Sequence, residues 1–255
     1  MTDRALSFGS VASAYEAFRF GYPDELVDEV LAYAGGPVRT ALEIGAGTGK
    51  ATRAFAARGI AVTATDPDAA MLAELRRHVS DSVTTVQATL EELASTGTDT
   101  AFDLVFAAAS LHWTAAEGRW DRVASMLEPG GTFASFGGPA WLADGELEEA
   151  VRAARSSYVD DDEIPAPDGT PADSPLHWPG TELVGSELFT DVRQSLLERH
   201  FTVSAEEYVG HLSTISAYLV LPERDRGHVL DRILAILPEQ VPLAADIWLH
   251  LARRS

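Results

Sequence analysis

Cysteine is absent from all 255 residues. Disulfides, thiolate nucleophiles and cysteine-bound zinc or iron–sulfur centres are therefore excluded. Lysine occurs once, at Lys50, while Arg and Ala are plentiful, a bias that suggests a GC-rich bacterial genome. Basic residues are scarce: 19 Lys and Arg stand against 39 Asp and Glu, for a formal charge of −20. Affinity for a nucleic acid backbone comes from neutralised phosphates, so this acidity argues against DNA or RNA as a partner. No apolar run is long enough to span a bilayer, and residues 1–7 lack the pattern of a signal peptide. These absences predict a soluble cytoplasmic protein with no membrane partner. The seven histidines are scattered without metal-ligand spacing, so no metal centre is expected.

Apolar residues make up 46% of the chain, enough to bury a substantial core. Their arrangement changes along the sequence. After an aromatic opening that includes Tyr15, Arg19 and Tyr22, a helical pattern places Leu26, Val27, Val30 and Leu31 on one face, and Gly35, Gly36 and Pro37 end it. From residue 38 strand-like and helix-like segments alternate. Strands are expected at 38–44, 60–65, 83–87, 102–107 and 132–136, with helices at 50–59, 68–79, 90–94 and 117–127 between them. This rhythm predicts right-handed crossovers and a doubly wound, mostly parallel α/β sheet with helices on both faces.

Beyond Gly137 the rhythm breaks. Helices are expected at 145–159, 182–189, 204–212 and 223–237, an acidic Pro-rich loop starts at 160–163, and 191–201 and 241–252 read as the last two strands of a seven-stranded sheet.

The sharpest local signal is Leu42-Glu43-Ile44-Gly45-Ala46-Gly47-Thr48-Gly49-Lys50, between a strand and a helix. Glycines there let the backbone turn tightly and approach a ligand, and free amides at the helix start face the same space. The next strand ends at Asp66, whose carboxylate suits a ribose diol. Strand, glycine loop, helix, strand and acid together form a nucleoside-binding constellation. A dinucleotide fingerprint would need glycine at position 50, where Lys50 stands, and a catalytic Tyr-x-x-x-Lys is lacking. Ala51, in place of Ser or Thr, excludes a Walker phosphate loop.

With its E/D-x-G-x-G-x-G pattern, the segment resembles the first motif of class I S-adenosylmethionine-dependent methyltransferases. The implied fold is Rossmann-like. The resemblance implies that Gly45, Ala46, Gly47 and Gly49 line the cofactor and that Asp66, followed by Pro67, holds its ribose. It implies that Glu43 orients the loop or reaches the cofactor's amino group, and that Met71 packs on adenine. Thr89 stands where relatives often carry an adenine-binding Asp, so that contact falls to Thr89, to Leu90 backbone or to water. It implies too that Ala107 and Ala108 lie along the same cofactor cleft.

Ser110-Leu111-His112-Trp113, and the lead-in Tyr15…Arg19…Tyr22-Pro23, are similar to the small-molecule, trans-aconitate methyltransferase-like (methyltransferase type 11) branch, with Phe20 where proline is usual. The resemblance implies one methyltransferase domain over 1–255. Within it, 1–36 forms a helical cap, 37–137 the cofactor core, and 138–255 a helical lid of acceptor-binding insertions and the last strands.

A sulfonium cofactor carries the difficult chemistry, and the protein aligns the acceptor. O-methylation of a hydroxyl or carboxylate is favoured, with S-adenosylhomocysteine as product. His112 is the candidate base for a hydroxyl, and a carboxylate needs none. Tyr15, Arg19, Trp113, Trp141, Trp178, Ser213 and Tyr218 are the candidate acceptor contacts. The alternatives are a binder that uses the cofactor for a non-methylating reaction, or an NAD(P)-dependent oxidoreductase.

Overall fold

Strands that are apolar on both faces must be covered on both faces, and the chain achieves this by returning through a helix after each of its first strands. In the computed structural model, which describes residues 8–93, 101–159 and 165–255, a 3-10 turn (Phe8–Val11) leads into α1 (Ala12–Phe18) and α2 (Asp24–Ala34). The alternating core follows as β1 (Thr40–Ile44), α3 (Lys50–Ala56), β2 (Ala61–Asp66), α4 (Ala69–Leu75), β3 (Val83–Gln87), α5 (Leu90–Leu93), β4 (Phe102–Ala108), a second 3-10 turn (Leu111–Trp113), α6 (Arg119–Met126) and β5 (Leu127–Gly137). After these come β6 (Trp141–Leu142), α7 (Gly145–Arg155), α8 (Gly180–Val184), β7 (Phe189–Leu197), β8 (His200–Ser204), α9 (Ala205–Leu212), α10 (Ser216–Leu219), α11 (Glu223–Leu234), β9 (Gln240–Ala244) and β10 (Ile247–Arg254). The acidic run at 160–163 and residue 94, the expected end of a helix, lie outside the described residues.

The main sheet has seven strands in the order β3-β2-β1-β4-β5-β10-β7. β3, β2, β1, β4 and β5 run parallel, and β10 lies antiparallel to both β5 and β7. Alternate residues of one strand feed opposite cores: Leu42 and Ile44 join Val105 and Phe133 on one face, Ala41 joins Leu104, Phe106 and Ala134 on the other. Strand order reverses between β1 and β4. A ligand crevice is expected there, outside the carboxyl ends of the strands.

Local chemistry sets the helix boundaries. Pro23 precedes α2, Asp24 and Glu25 occupy its positively polarised first turn, and Gly35 ends it at φ +69°. Asp68 caps α4 by accepting from the Ala70 and Met71 amides, Asp144 caps α7, and Ser204 with Glu207 forms a capping box on α9.

The C-terminal half departs from expectation in three places. The segment 191–201, expected as one strand, divides into β7 and β8, and 241–252 divides into β9 and β10. In each case one strand leaves the main sheet, β8 from the first segment and β9 from the second, because β9 pairs with both β6 and β8 in a separate three-stranded sheet. The expected helical lid is thus mixed, with helices and this small sheet around a third core that includes Tyr208, Tyr218, Val229, Ile233 and Leu243. The helix expected over 182–189 stops at Val184, since Phe189 already pairs with Arg254 as the start of β7. Among the described residues no helix is long and apolar enough to cross a membrane.

The N-terminal elements bridge core and lid. Arg19 donates from Nε and Nη2 to Oγ1 and O of Thr214, both at 2.9 Å. Phe18 packs on Gly210 of α9 so closely that a Cβ there would lie 2.4 Å from its ring. Gly210→Ala is therefore expected to cost ~1–3 kcal/mol through overpacking, in spite of alanine's better helix propensity. Urea unfolding checks this, and a midpoint at or above wild type would show that Phe18 is not seated on Gly210.

Candidate functional site

The crevice between β1 and β4 begins with a close backbone approach. Gly45 has φ +68°, and a Cβ on it would lie 2.5 Å from the Ser110 Cβ. Glycine lets the end of β1 lie against Ser110, whose hydroxyl donates to the Ile44 carbonyl. Gly47, at φ +55°, faces the other way: its nearest neighbour is Tyr15 Cε1, 4.0 Å from where a Cβ would be. Gly49, at φ +84°, caps α3.

Asp66 holds this loop. Its Oδ2 accepts the Gly47 N–H at 2.9 Å and its Oδ1 accepts the Asp68 N–H at 2.8 Å. Each carboxylate oxygen keeps a second lone pair, so the group can still receive a diol. Burial pushes its pKa up to about 6, against the opposing pull of those two amides. Thr48 Oγ1, buried in the same loop, has no hydrogen-bond partner among the described residues. A positive-φ cradle, an acid with spare acceptor capacity and an orphaned hydroxyl all fit a bound nucleoside with a polar tail.

Behind the loop, Glu43 is 1% exposed and accepts from Thr52 Oγ1 of α3 at 2.5 Å. Burial is the main cause of a pKa pushed up to about 8, which the Thr52 hydrogen bond opposes and Asp66 reinforces. Met71 is buried in the first turn of α4, and Pro67 accepts from Gln87 Nε2 through its carbonyl. Thr89 is engaged in capping α5: its Oγ1 accepts the Glu92 N–H at 3.2 Å, and its own N–H donates to Glu92 Oε2 at 2.8 Å. Leu90 turns its side chain into the core. Ala107 is fully buried and Ala108 half-buried at the end of β4. Ala109, which no sequence pattern singles out, adopts φ +51° there, an uncommon conformation for a residue other than glycine.

From this edge the second 3-10 turn carries His112 and Trp113, whose rings lie 4.6 Å apart. Phe8, absent from the expected site residues, is the hub that joins the candidates: its ring is 6.0 Å from both Trp113 and Tyr15. The guanidinium of Arg19 lies 5.2 Å from the Tyr15 ring centre. Tyr22 is a second omission. Burial, with Tyr15 and Glu43 adding to it, holds its phenol above the ordinary range. The aromatic opening of the chain was the available signal for both. The cap is held down by Glu16, whose carbonyl accepts from Lys50 Nζ at 2.7 Å and whose Oε1 accepts from Arg53 Nη2 at 2.7 Å.

The C-terminal candidates are not gathered in one place. Trp141 lies on β6 in the small sheet, and Trp178 covers Arg119 at 5.1 Å. Ser213 donates to the Gly210 carbonyl at the end of α9. Tyr218 is 0% exposed and lies within the lid core.

Comparison with known proteins adds a family profile described as "Methyltransferase domain", which matches residues 42–135. An uncharacterized methyltransferase of Mycobacterium tuberculosis is 31% identical over 249 residues, covering 98% of this chain and 93% of its own. Among solved structures, an Anaeromyxobacter dehalogenans protein described as a type II methyltransferase superposes with a TM-score of 0.63 at 22% identity, covering 93% of this chain and 98% of that one. A Haemonchus contortus phosphoethanolamine N-methyltransferase, solved with phosphomonomethylethanolamine and S-adenosylhomocysteine, gives 0.54 at 16% identity, covering 99% of this chain and 58% of that one. These two structural likenesses speak to the fold.

The buried Glu43 makes stability depend on pH. Its folded pKa of about 8 exceeds the ordinary 4.5, so the folded chain retains a proton that the unfolded chain gives up. The Glu43 contribution is therefore fully present below pH 4.5 and is lost as pH rises towards 8, by at most ~1.4 kcal/mol per pH unit. Glu43→Gln, which keeps an acceptor for Thr52, is expected to flatten that decline in urea unfolding series. An unchanged pH slope would show that Glu43 ionises as an ordinary carboxylate.

Proposed function

The chain belongs to the class I S-adenosylmethionine-dependent methyltransferases, and on that premise we propose that it methylates a small-molecule acceptor on oxygen, at a hydroxyl or a carboxylate. The observation that carries this reading is the chain of ring contacts that joins Tyr15, Phe8, Trp113 and His112 next to the glycine loop, where Tyr15 is the nearest neighbour of Gly47. A crevice roofed by the cap suits a small acceptor better than a polymer. The formal charge of −20 also disfavours a polyanionic acceptor.

In this reading the backbone of Gly45, Ala46, Gly47 and Gly49 cradles the methionine portion of the cofactor. Asp66 takes the ribose hydroxyls, and Pro67, Met71 and the Thr89–Leu90 backbone border the adenine, with Ala107 and Ala108 along the floor. When bound, S-adenosylmethionine supplies a methyl group on a positively charged sulfur. The chain's own work is alignment, exclusion of water and disposal of a proton. Tyr15, Phe8 and Trp113 close the crevice from above and keep the acceptor in line. For a hydroxyl acceptor, the neutral His112 imidazole accepts the proton as the new bond forms. For a carboxylate there is no proton to remove, and His112 only orients the group.

The test incubates the protein with methyl-labelled S-adenosylmethionine and panels of carboxylic acids, phenols, alcohols and amines, with product mass as the readout. Label is expected in an ester or ether. Asp66→Ala is expected to weaken cofactor binding in calorimetry about tenfold to a hundredfold, since it removes charge-assisted hydrogen bonds. With a hydroxyl acceptor His112→Ala should lose ~10²–10⁴ in kcat, whereas with a carboxylate the rate should hold. Label found only in amines would reject O-methylation, and label found only in nucleic acid or protein would reject the small-molecule acceptor.

A further inference from the structure

Arg119, at the start of α6, has no role in the reading above, yet it is 1% exposed and heads the fully buried side chains by size among the described residues. Each of its three guanidinium nitrogens donates a hydrogen bond. Nε donates to Thr114 Oγ1 at 2.9 Å, Nη2 to the Thr114 carbonyl at 3.0 Å, and Nη1 to Glu182 Oε2 at 3.0 Å. The same Glu182 oxygen accepts from Trp120 Nε1 at 2.8 Å. The Trp178 ring covers the guanidinium from 5.1 Å.

Thr114 connects this cluster to the crevice. Its hydroxyl donates to the Leu111 carbonyl at 2.7 Å, and its N–H donates to the same oxygen at 3.1 Å. A continuous path therefore runs from α8 through Glu182, Arg119 and Thr114 into the 3-10 turn that carries His112 and Trp113. From the opposite side, Glu91 of α5 accepts the Ala115 N–H at 2.7 Å. The segment after β4 is thus strung between α5, at the proposed adenine border, and α8, in the C-terminal half.

A buried guanidinium is a poor way merely to fill space, because an apolar side chain of similar volume often serves stability as well or better. What arginine supplies here is a rigid planar fork that fixes several acceptors at once. We propose that Arg119 is a positioning residue for methyl transfer: it holds Thr114, and with it the His112 turn, in register with α8. Placement of the acceptor side of the crevice then depends on the insertion that carries Glu182. This rests on the reading that puts His112 beside the acceptor.

The test needs no known acceptor. His112 Nε2 is buried, so its carbethoxylation by diethyl pyrocarbonate, resolved peptide by peptide in mass spectra, reports how firmly the turn is held. Arg119→Lys keeps the charge beside Glu182 but loses the fork, and Thr114→Val removes the hydroxyl that accepts from Nε. In both variants the His112 rate is expected to rise about tenfold, while His78 and His228 stay within about twofold of wild type. S-adenosylhomocysteine is expected to bind both variants in calorimetry, yet to slow His112 modification less than in wild type. Unchanged His112 rates in both variants, or a uniform rise over all histidines, would overturn the positioning role. Wild-type protein that binds S-adenosylhomocysteine without any slowing at His112 would instead remove His112 from the crevice. The unliganded rates would still decide whether Arg119 holds the turn.

Discussion

Everything in the crevice depends on one close approach, the meeting of β1 and β4 at their carboxyl ends. The two strands are neighbours in the sheet but distant in the chain, and strand order reverses between them. The Ser110 hydroxyl bonds to the last carbonyl of β1, and Gly45 permits it because there is no Cβ to occupy the same space. From that junction the glycine loop leaves in one direction and the His112 turn in the other. A side chain at Gly45 would push them apart, and neither Asp66 nor the cap would then meet the loop as they do.

Two carboxyl groups are buried around this junction, and both have pKa values pushed up by loss of water. They are treated differently. Asp66 is compensated by backbone amides that also shape the loop, with lone pairs to spare. Glu43 is sealed behind it, bonded to Thr52 on the helix that the loop leads into. Desolvated acids of this kind are expensive for a fold and gather where binding or chemistry gives them a purpose. Loop geometry and charge are therefore coupled, since the residues that hold the loop also set the electrostatics of the crevice.

The roof is assembled from remote parts of the chain. The cap is tied to α3 by Lys50 and Arg53 through Glu16, to the lid by Arg19 through Thr214, and to the His112 turn through Phe8. Apolar packing backs these ties, since α2 shares one core with α3 and Phe20 packs against the lid core. The lone lysine of the sequence is one such tie, at the position where a dinucleotide-binding loop would carry its third glycine.

The sequence by itself determined the alternation of strand and helix between residues 38 and 137, the glycine loop and its following acid, and the family resemblance. Each of these is written in short-range spacing: apolar periods, turn residues and a fixed interval between motif positions. It also showed the aromatic opening, without saying what Phe8 and Tyr22 would face. Tertiary structure alone decided the rest. That 191–201 and 241–252 would each be divided between two sheets depends on pairing between strands distant in sequence, to which local β propensity is blind. That Tyr218 would be lid core, and that Trp141 and Trp178 would lie in different places, follows from how the C-terminal helices pack on that second sheet. Arg19 finds Thr214 across 195 residues and Arg119 finds Glu182 across 63. A buried arginine and an exposed one look alike in sequence until the fold chooses what surrounds them.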